Sequence, residues 1–119
     1  MKTFNIFLAL AFTILSISTK AQNNSNAKTE AVKVSGNCEM CKTRIEKAAK
    51  NAGASTAIWD VDSKVLSVTY NPAKSSIDNI EKAISTSGHD TKHSKALTTS
   101  YEKLPECCHY ERKNDVPKA

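Results

Sequence analysis

The hydrophobic positions change their spacing several times along the chain, and each change marks an element. Phe4–Ile17 is an apolar run broken only by Asn5, Thr13 and Ser16. Gln22–Thr29 is polar and rich in Asn and Ser, the composition of a flexible linker. From Ala31 to Ser35 apolar and polar residues alternate, which predicts a half-buried strand. Ile45, Ala48, Ala49 and Ala52 then recur at helical spacing, predicting a helix from about Cys41 to Lys50, closed by Asn51-Ala52-Gly53. Ser55–Asp60 and Lys64–Tyr70 read as two strands joined through Val61-Asp62-Ser63, an antiparallel hairpin. In the second of these Leu66, Val68 and Tyr70 share one face and Val65, Ser67 and Thr69 the other, and Asn71-Pro72 ends it. Ser75-Ser76-Ile77-Asp78 has capping-box spacing ahead of a helical stripe of Ile77, Ile80, Ala83 and Ile84, and Gly88 closes that helix. His89–His93 is a last extended piece.

The order is β-α-β-β-α-β, which predicts an α+β fold of the ferredoxin-like βαββαβ type, an antiparallel sheet with both helices on one face. Its Ile, Val and Leu content is expected to suffice for folding without a metal. Beyond it, Leu97, Tyr101 and Leu104 are spaced i, i+4, i+7. They predict a short helix over Thr98–Leu104 whose three apolar side chains dock on the domain, stopped by Pro105. Cys107-Cys108-His109-Tyr110 follows, then a charged end, Glu111–Ala119, expected to be disordered. The organisation expected is a signal peptide at 1–21, a linker at 22–29, a domain at 30–93 and a C-terminal extension at 94–119 that carries the short helix and Cys-Cys-His.

Charge and length refine this picture. Lys2, the apolar run and Thr19-Lys20-Ala21 together have the form of a secretory signal cleaved after Ala21. The apolar run is shorter than the roughly 20 residues of a spanning helix, which argues against an anchor and against membrane insertion once the signal is gone. Cleavage removes two lysines and lowers the formal charge from +5 to +3, leaving 98 of 119 residues, enough for one small domain. The remaining charges are mixed in sign along the chain, with no basic stripe interleaved with aromatics, so nucleic acid is not an expected partner. The expected location is periplasmic or secreted.

Four cysteines in an exported chain commonly mean disulfides, and a plain secreted domain with two of them is one reading. Here they fall in two close pairs, Cys38/Cys41 and Cys107/Cys108, where a disulfide scaffold would spread them over its loops. Cys38-Glu39-Met40-Cys41 stands where a strand hands over to a helix. Unpaired backbone N–H groups and the helix dipole stabilise negative sulfur there, and Lys42 and Arg44 are expected to add positive charge. Such a site suits a soft metal ion or thiol–disulfide exchange. A thioredoxin-like dithiol would need a parallel strand after the CxxC helix and a proline beside the disulfide, whereas a hairpin follows here and Pro72 falls in its exit turn. A structural zinc site would need four ligands, which Cys38 and Cys41 with two of Cys107, Cys108 and His109 could supply only if the tail folds back. Trp59 reads as a strand residue packed on the sheet and His93 as a solvated surface residue. No nucleophile–base pair and no phosphate loop is present, so an enzyme is not expected.

The span from about Val32 to Asp90 resembles the heavy-metal-associated domain family, which includes copper chaperones, periplasmic mercury-binding proteins and the N-terminal modules of heavy-metal pumps. The resemblance rests on Cys38-x-x-Cys41 followed by Ile45-Glu46, on Gly53, on Val68-Thr69-Tyr70-Asn71-Pro72, and on Ile77, Ile80, Ala83-Ile84 and Gly88. It implies that Cys38 and Cys41 form a primary Cu(I) site, with Zn(II) or Hg(II) as alternatives. It also implies delivery to a metal-transporting ATPase or another cysteine-bearing acceptor, by a monomer or a metal-bridged dimer. Cys107, Cys108, His109 and His89 are secondary candidate ligands, His89 because this fold brings the exit of the second helix close to the metal loop. Two features depart from the family. Gly36-Asn37-Cys38 is one residue shorter than the usual Gly-Met-x-Cys approach and lacks the inward methionine, and His89 stands where Tyr, Phe or Lys is usual.

Overall fold

Alternation and pairing explain the sheet of the computed structural model, which describes residues 26–112. The expected signal, most of the expected linker and the last seven residues lie outside the described residues. Strand β1, Lys28–Lys33, pairs antiparallel with β3, Val65–Tyr70, and β3 pairs antiparallel with β2, Ala54–Trp59, giving the order β1-β3-β2. Leu66, Val68 and Tyr70 of the central strand are buried, the face the alternation predicted. Strand β1 starts earlier than expected and takes Lys28 and Thr29 from the assumed linker, because Tyr70 and Thr69 supply ladder partners for them. Thr29 and Thr69 hydroxyls also meet across that pair at 2.9 Å.

Helix α1, Glu39–Asn51, buries Cys41, Ile45 and Ala49 against the sheet, and α2, Ile77–Thr86, buries Ile80 and Ile84 in the same core. The cap of α2 is Ser76, whose hydroxyl accepts from the Asn79 N–H at 3.1 Å. Ser75 instead donates to the Ala52 carbonyl at 2.6 Å and ties the turn before α2 to the end of α1. This is the ferredoxin-like fold, with its final strand reduced to one antiparallel bridge between Val34 and Thr91. The bridge is flanked by Ser35 N–H to the Asp90 carbonyl (2.8 Å) and Lys92 N–H to the Lys33 carbonyl (3.0 Å). The strand goes no further because Thr91 turns back, its N–H reaching the Ser94 carbonyl at 2.7 Å.

The tail occupies the space at that end of the sheet. Helix α3 spans Thr98–Glu102, shorter than expected, and a 3-10 turn spans Glu106–Cys108. Leu104, Cys108 and Tyr110 enter the main core and Tyr101 packs against it. Leu97, expected to dock, is half exposed, and the neighbouring Ala96 is buried in its place. Gly88 makes the docking possible: its φ is +110°, and a Cβ there would lie 2.8 Å from the Ser100 carbonyl oxygen and 2.9 Å from Leu104. The expectation of disorder from Glu111 onward fails at Arg112. Its guanidinium forms a bidentate pair with the buried Asp90 carboxylate (2.8 and 2.9 Å) and donates to the Ala96 carbonyl (2.6 Å). The burial of Asp90 creates a demand for a cation that the sequence pattern does not display. Among the described residues no helix is long and apolar enough to cross a membrane.

Candidate metal centre

The loop Ser35–Cys38 leaves β1 over the ring of Trp59. That ring is fully buried, its indole N–H donates to the Val34 carbonyl at 3.0 Å, and a Cβ on Gly36 would sit 3.0 Å from both the ring and Cys41. A side chain at Gly36 would push the indole or Cys41 back, so the glycine suits the close approach of the loop to the ring that fills the space beneath it. Cys38 is the N-cap of α1, extended at φ −143° and ψ 174°, and Cys41 lies one turn in, fully buried. The Asn37 N–H points at the Cys41 sulfur at 3.3 Å.

All four cysteines are free thiols, and the fold gathers them. Cys38 Sγ is 3.4 Å from Cys41 Sγ, 3.2 Å from Cys107 Sγ and 3.6 Å from Cys108 Sγ. The sulfurs of Cys38, Cys41 and Cys108 all lie within 4.8 Å of one another. Cys107 stands outside that set, 3.9 Å from Cys108 and 3.5 Å from the thioether of Met40.

Burial pushes the Cys38 thiol up, but hydrogen bonding with Cys107, Cys41 and Cys108 outweighs it and brings the pKa down to about 7. Cys38 is therefore substantially thiolate at neutral pH. The same contact with Cys38 raises Cys107, and burial raises Cys108 strongly. Four sulfurs this close favour one shared negative charge until a cation arrives to compensate more. Lys42 and Arg44 take little part. Lys42 pairs with Glu46 at 2.9 Å and the Trp59 carbonyl at 3.0 Å, and Arg44 reaches the Ser87 carbonyl at 3.5 Å.

The histidines are not brought into the sulfur group. His89 is fully buried, its Nδ1 2.9 Å from the Ser35 carbonyl and its ring stacked on Tyr110 at 5.8 Å, while Nε2 has no partner. His109 is exposed and tilted on Tyr101 at 5.0 Å. His93 is a surface residue paired with the buried Glu81 at 3.0 Å. Two parts of the site escaped the sequence reading. Met40 offers a soft donor beside Cys107, and its place inside the CxxC was the available signal. Tyr110 holds the tail down: its hydroxyl accepts from the Asp90 N–H at 2.9 Å and donates to the Gly88 carbonyl at 2.8 Å.

A split βαβ core presenting a CxxC at the start of its first helix defines a class of small soft-metal-binding domains. No family model matches the chain. A protein of two strains of Staphylococcus epidermidis, named copper chaperone CopZ, is 38% identical over 63 residues, spanning 51% of this chain and 93% of that protein. A solved CopZ metallochaperone superposes with a TM-score of 0.52 at 29% identity, covering 54% of this chain and 98% of that one. The water-soluble region of the P-type ATPase CopA from Bacillus subtilis superposes at 0.51 with 31% identity, covering 55% of this chain and 44% of that one. The chain belongs to the heavy-metal-associated family. Cys38 and Cys107 are 69 positions apart, so a 63-residue match that holds the CxxC leaves out the tail cysteines.

Proposed function

We propose that this chain is an exported Cu(I)-binding protein, and not an enzyme. It captures the ion with Cys38 and Cys41, covers it with Cys108, and yields it to a cysteine-bearing acceptor such as the soluble domain of a metal-transporting ATPase. The observation that carries this reading is the convergence of the Cys38, Cys41 and Cys108 sulfurs within 4.8 Å of one another. Thiolates select soft ions. Cu(I) is satisfied by two or three sulfurs, whereas structural zinc takes four at about 2.3 Å in a tetrahedron, and Cys107 stands outside the set that could close one. The names of the relatives, a copper chaperone and a metallochaperone, point to the same ion. Hg(II) is the alternative cargo of the same donors. A thioredoxin-like dithiol is disfavoured because a hairpin of an antiparallel sheet follows the CxxC helix.

Anaerobic titration in competition with a Cu(I) chelator tests the reading. Replacing Cys38 and Cys41 together with Ser should abolish tight binding and leave the fold intact, since Ile45, Leu66, Val68, Ile80 and Ile84 form the core without metal. X-ray absorption at one equivalent should find three sulfurs around copper, and two in Cys108→Ala. Unchanged affinity in the double variant would refute the assignment. Truncation before Leu104 is the poorer test, because it also strips Leu104 and Tyr110 from the core.

A further inference from the structure

The four cysteine sulfurs form two triangles that share an edge. The inner one is Cys38, Cys41 and Cys108. The outer one is Cys38, Cys107 and Cys108, with edges of 3.2, 3.6 and 3.9 Å. Cys107 is exposed, and so is Met40, whose thioether lies 3.5 Å from the Cys107 sulfur. We propose that the outer triangle, with Met40, binds a second Cu(I), so that one chain holds a dinuclear centre bridged by the Cys38 and Cys108 thiolates. The proposal rests on the inner triangle being a Cu(I) site.

Charge and ligand number both favour it. One Cu(I) in the inner triangle leaves Cys107 against two bound thiolates, with no cation of its own. A second Cu(I) beside it lets the last thiol ionise, its proton passing to solvent. Two Cu(I) among four thiolates carry a formal charge of minus two, the same as one Cu(I) among three. No charge is therefore added to a site where Lys42 and Arg44 are engaged elsewhere. Cys38 is the natural bridge, since it alone is within 3.6 Å of all three other sulfurs. Met40 adds a soft donor with no charge, on the side open to solvent. The outer position is the one an acceptor's thiolates would reach first, so it would serve as the port through which the inner ion exchanges.

The test is Cu(I) titration of the reduced protein without oxygen, read by native mass spectrometry and by X-ray absorption. The expected result is a monomer carrying two Cu(I), with a copper–copper scattering shell that appears only above one equivalent. Combining Cys107→Ser with Met40→Leu, both at exposed positions, should leave one Cu(I) and remove that shell. A wild-type protein that saturates at one tightly held Cu(I) would overturn the dinuclear centre and leave the proposed function standing. A protein that binds none would overturn the Cu(I) reading itself. A double variant that still takes two ions, or a second ion seen only together with a dimer mass, would place the second site elsewhere and refute the proposal.

Discussion

Cys38 joins the whole site, because its sulfur touches the other three and its pKa is near 7. Beside it, His89 is the residue with a pH consequence for the fold. Burial lowers its pKa, the neighbouring Arg44 lowers it further, and the Ser35 carbonyl and Asp90 oppose the shift. The unfolded chain therefore binds this proton more readily than the folded one. Stability from neutral His89 is complete above its unfolded pKa of about 6.5 and declines as the pH falls below it. Urea midpoints measured between about pH 7 and pH 5 should fall accordingly. His89→Phe, which keeps the ring against Tyr110, should flatten that dependence while losing about 1 kcal/mol at pH 7 with the bond to Ser35. An equally steep profile in the variant would assign the dependence to another group.

At the scale of elements, the tail acts as a strap. Leu104 and Tyr110 fill the core, Tyr101 donates to the Tyr110 carbonyl at 2.6 Å, and Arg112 closes on Asp90 while lying over the Tyr101 ring at 4.9 Å. Leu104 and Tyr110 are each worth roughly 1.5–3 kcal/mol of apolar burial. The ion pair serves mainly to avoid an uncompensated buried carboxylate. Arg112→Leu should accordingly cost about 3–5 kcal/mol in urea unfolding. It should also expose residues 97–112 to proteolysis before the rest of the domain. Loss of stability without early tail cleavage would mean that the strap holds by its apolar contacts alone.

At the scale of the molecule, a Cu(I) site under a third thiolate exchanges more slowly than an open pair. Removing one ligand changes mostly the rate of leaving. Cys108→Ala should therefore pass Cu(I) to a dithiol acceptor at least about fivefold faster than the wild type in stopped-flow competition. Equal rates would mean that Cys108 does not hold the ion. The proposed export rests on the signal expected at 1–21 from the sequence alone. Intact mass of the protein from its native host should show Gln22 as the first residue, and an unprocessed chain would remove the argument for export.

Local order along the chain was enough to determine the hairpin and the two long helices. Period-two alternation marks the faces of β3, period-3.6 spacing marks α1 and α2, and Gly53 and Gly88, both at φ +110°, mark where those helices end. The same local pattern placed Cys38 and Cys41 at a helix start, because two thiols three positions apart need no distant partner to meet. Tertiary structure decided the rest. A strand that survives as one bridge depends on what packs beside it, and no periodicity reports that. Arg112 read as part of a charged end because its partner Asp90, 22 positions away, becomes a buried charge only when the tail closes over it. Cys107 and Cys108 read as secondary candidate ligands that only a folded-back tail could bring to the loop, and His89 as a neighbour of the metal loop. Their final distances from Cys38 depend on how Leu104 and Tyr110 seat the tail over Gly88 and Trp59 fills the space under Gly36, contacts made between residues far apart in sequence.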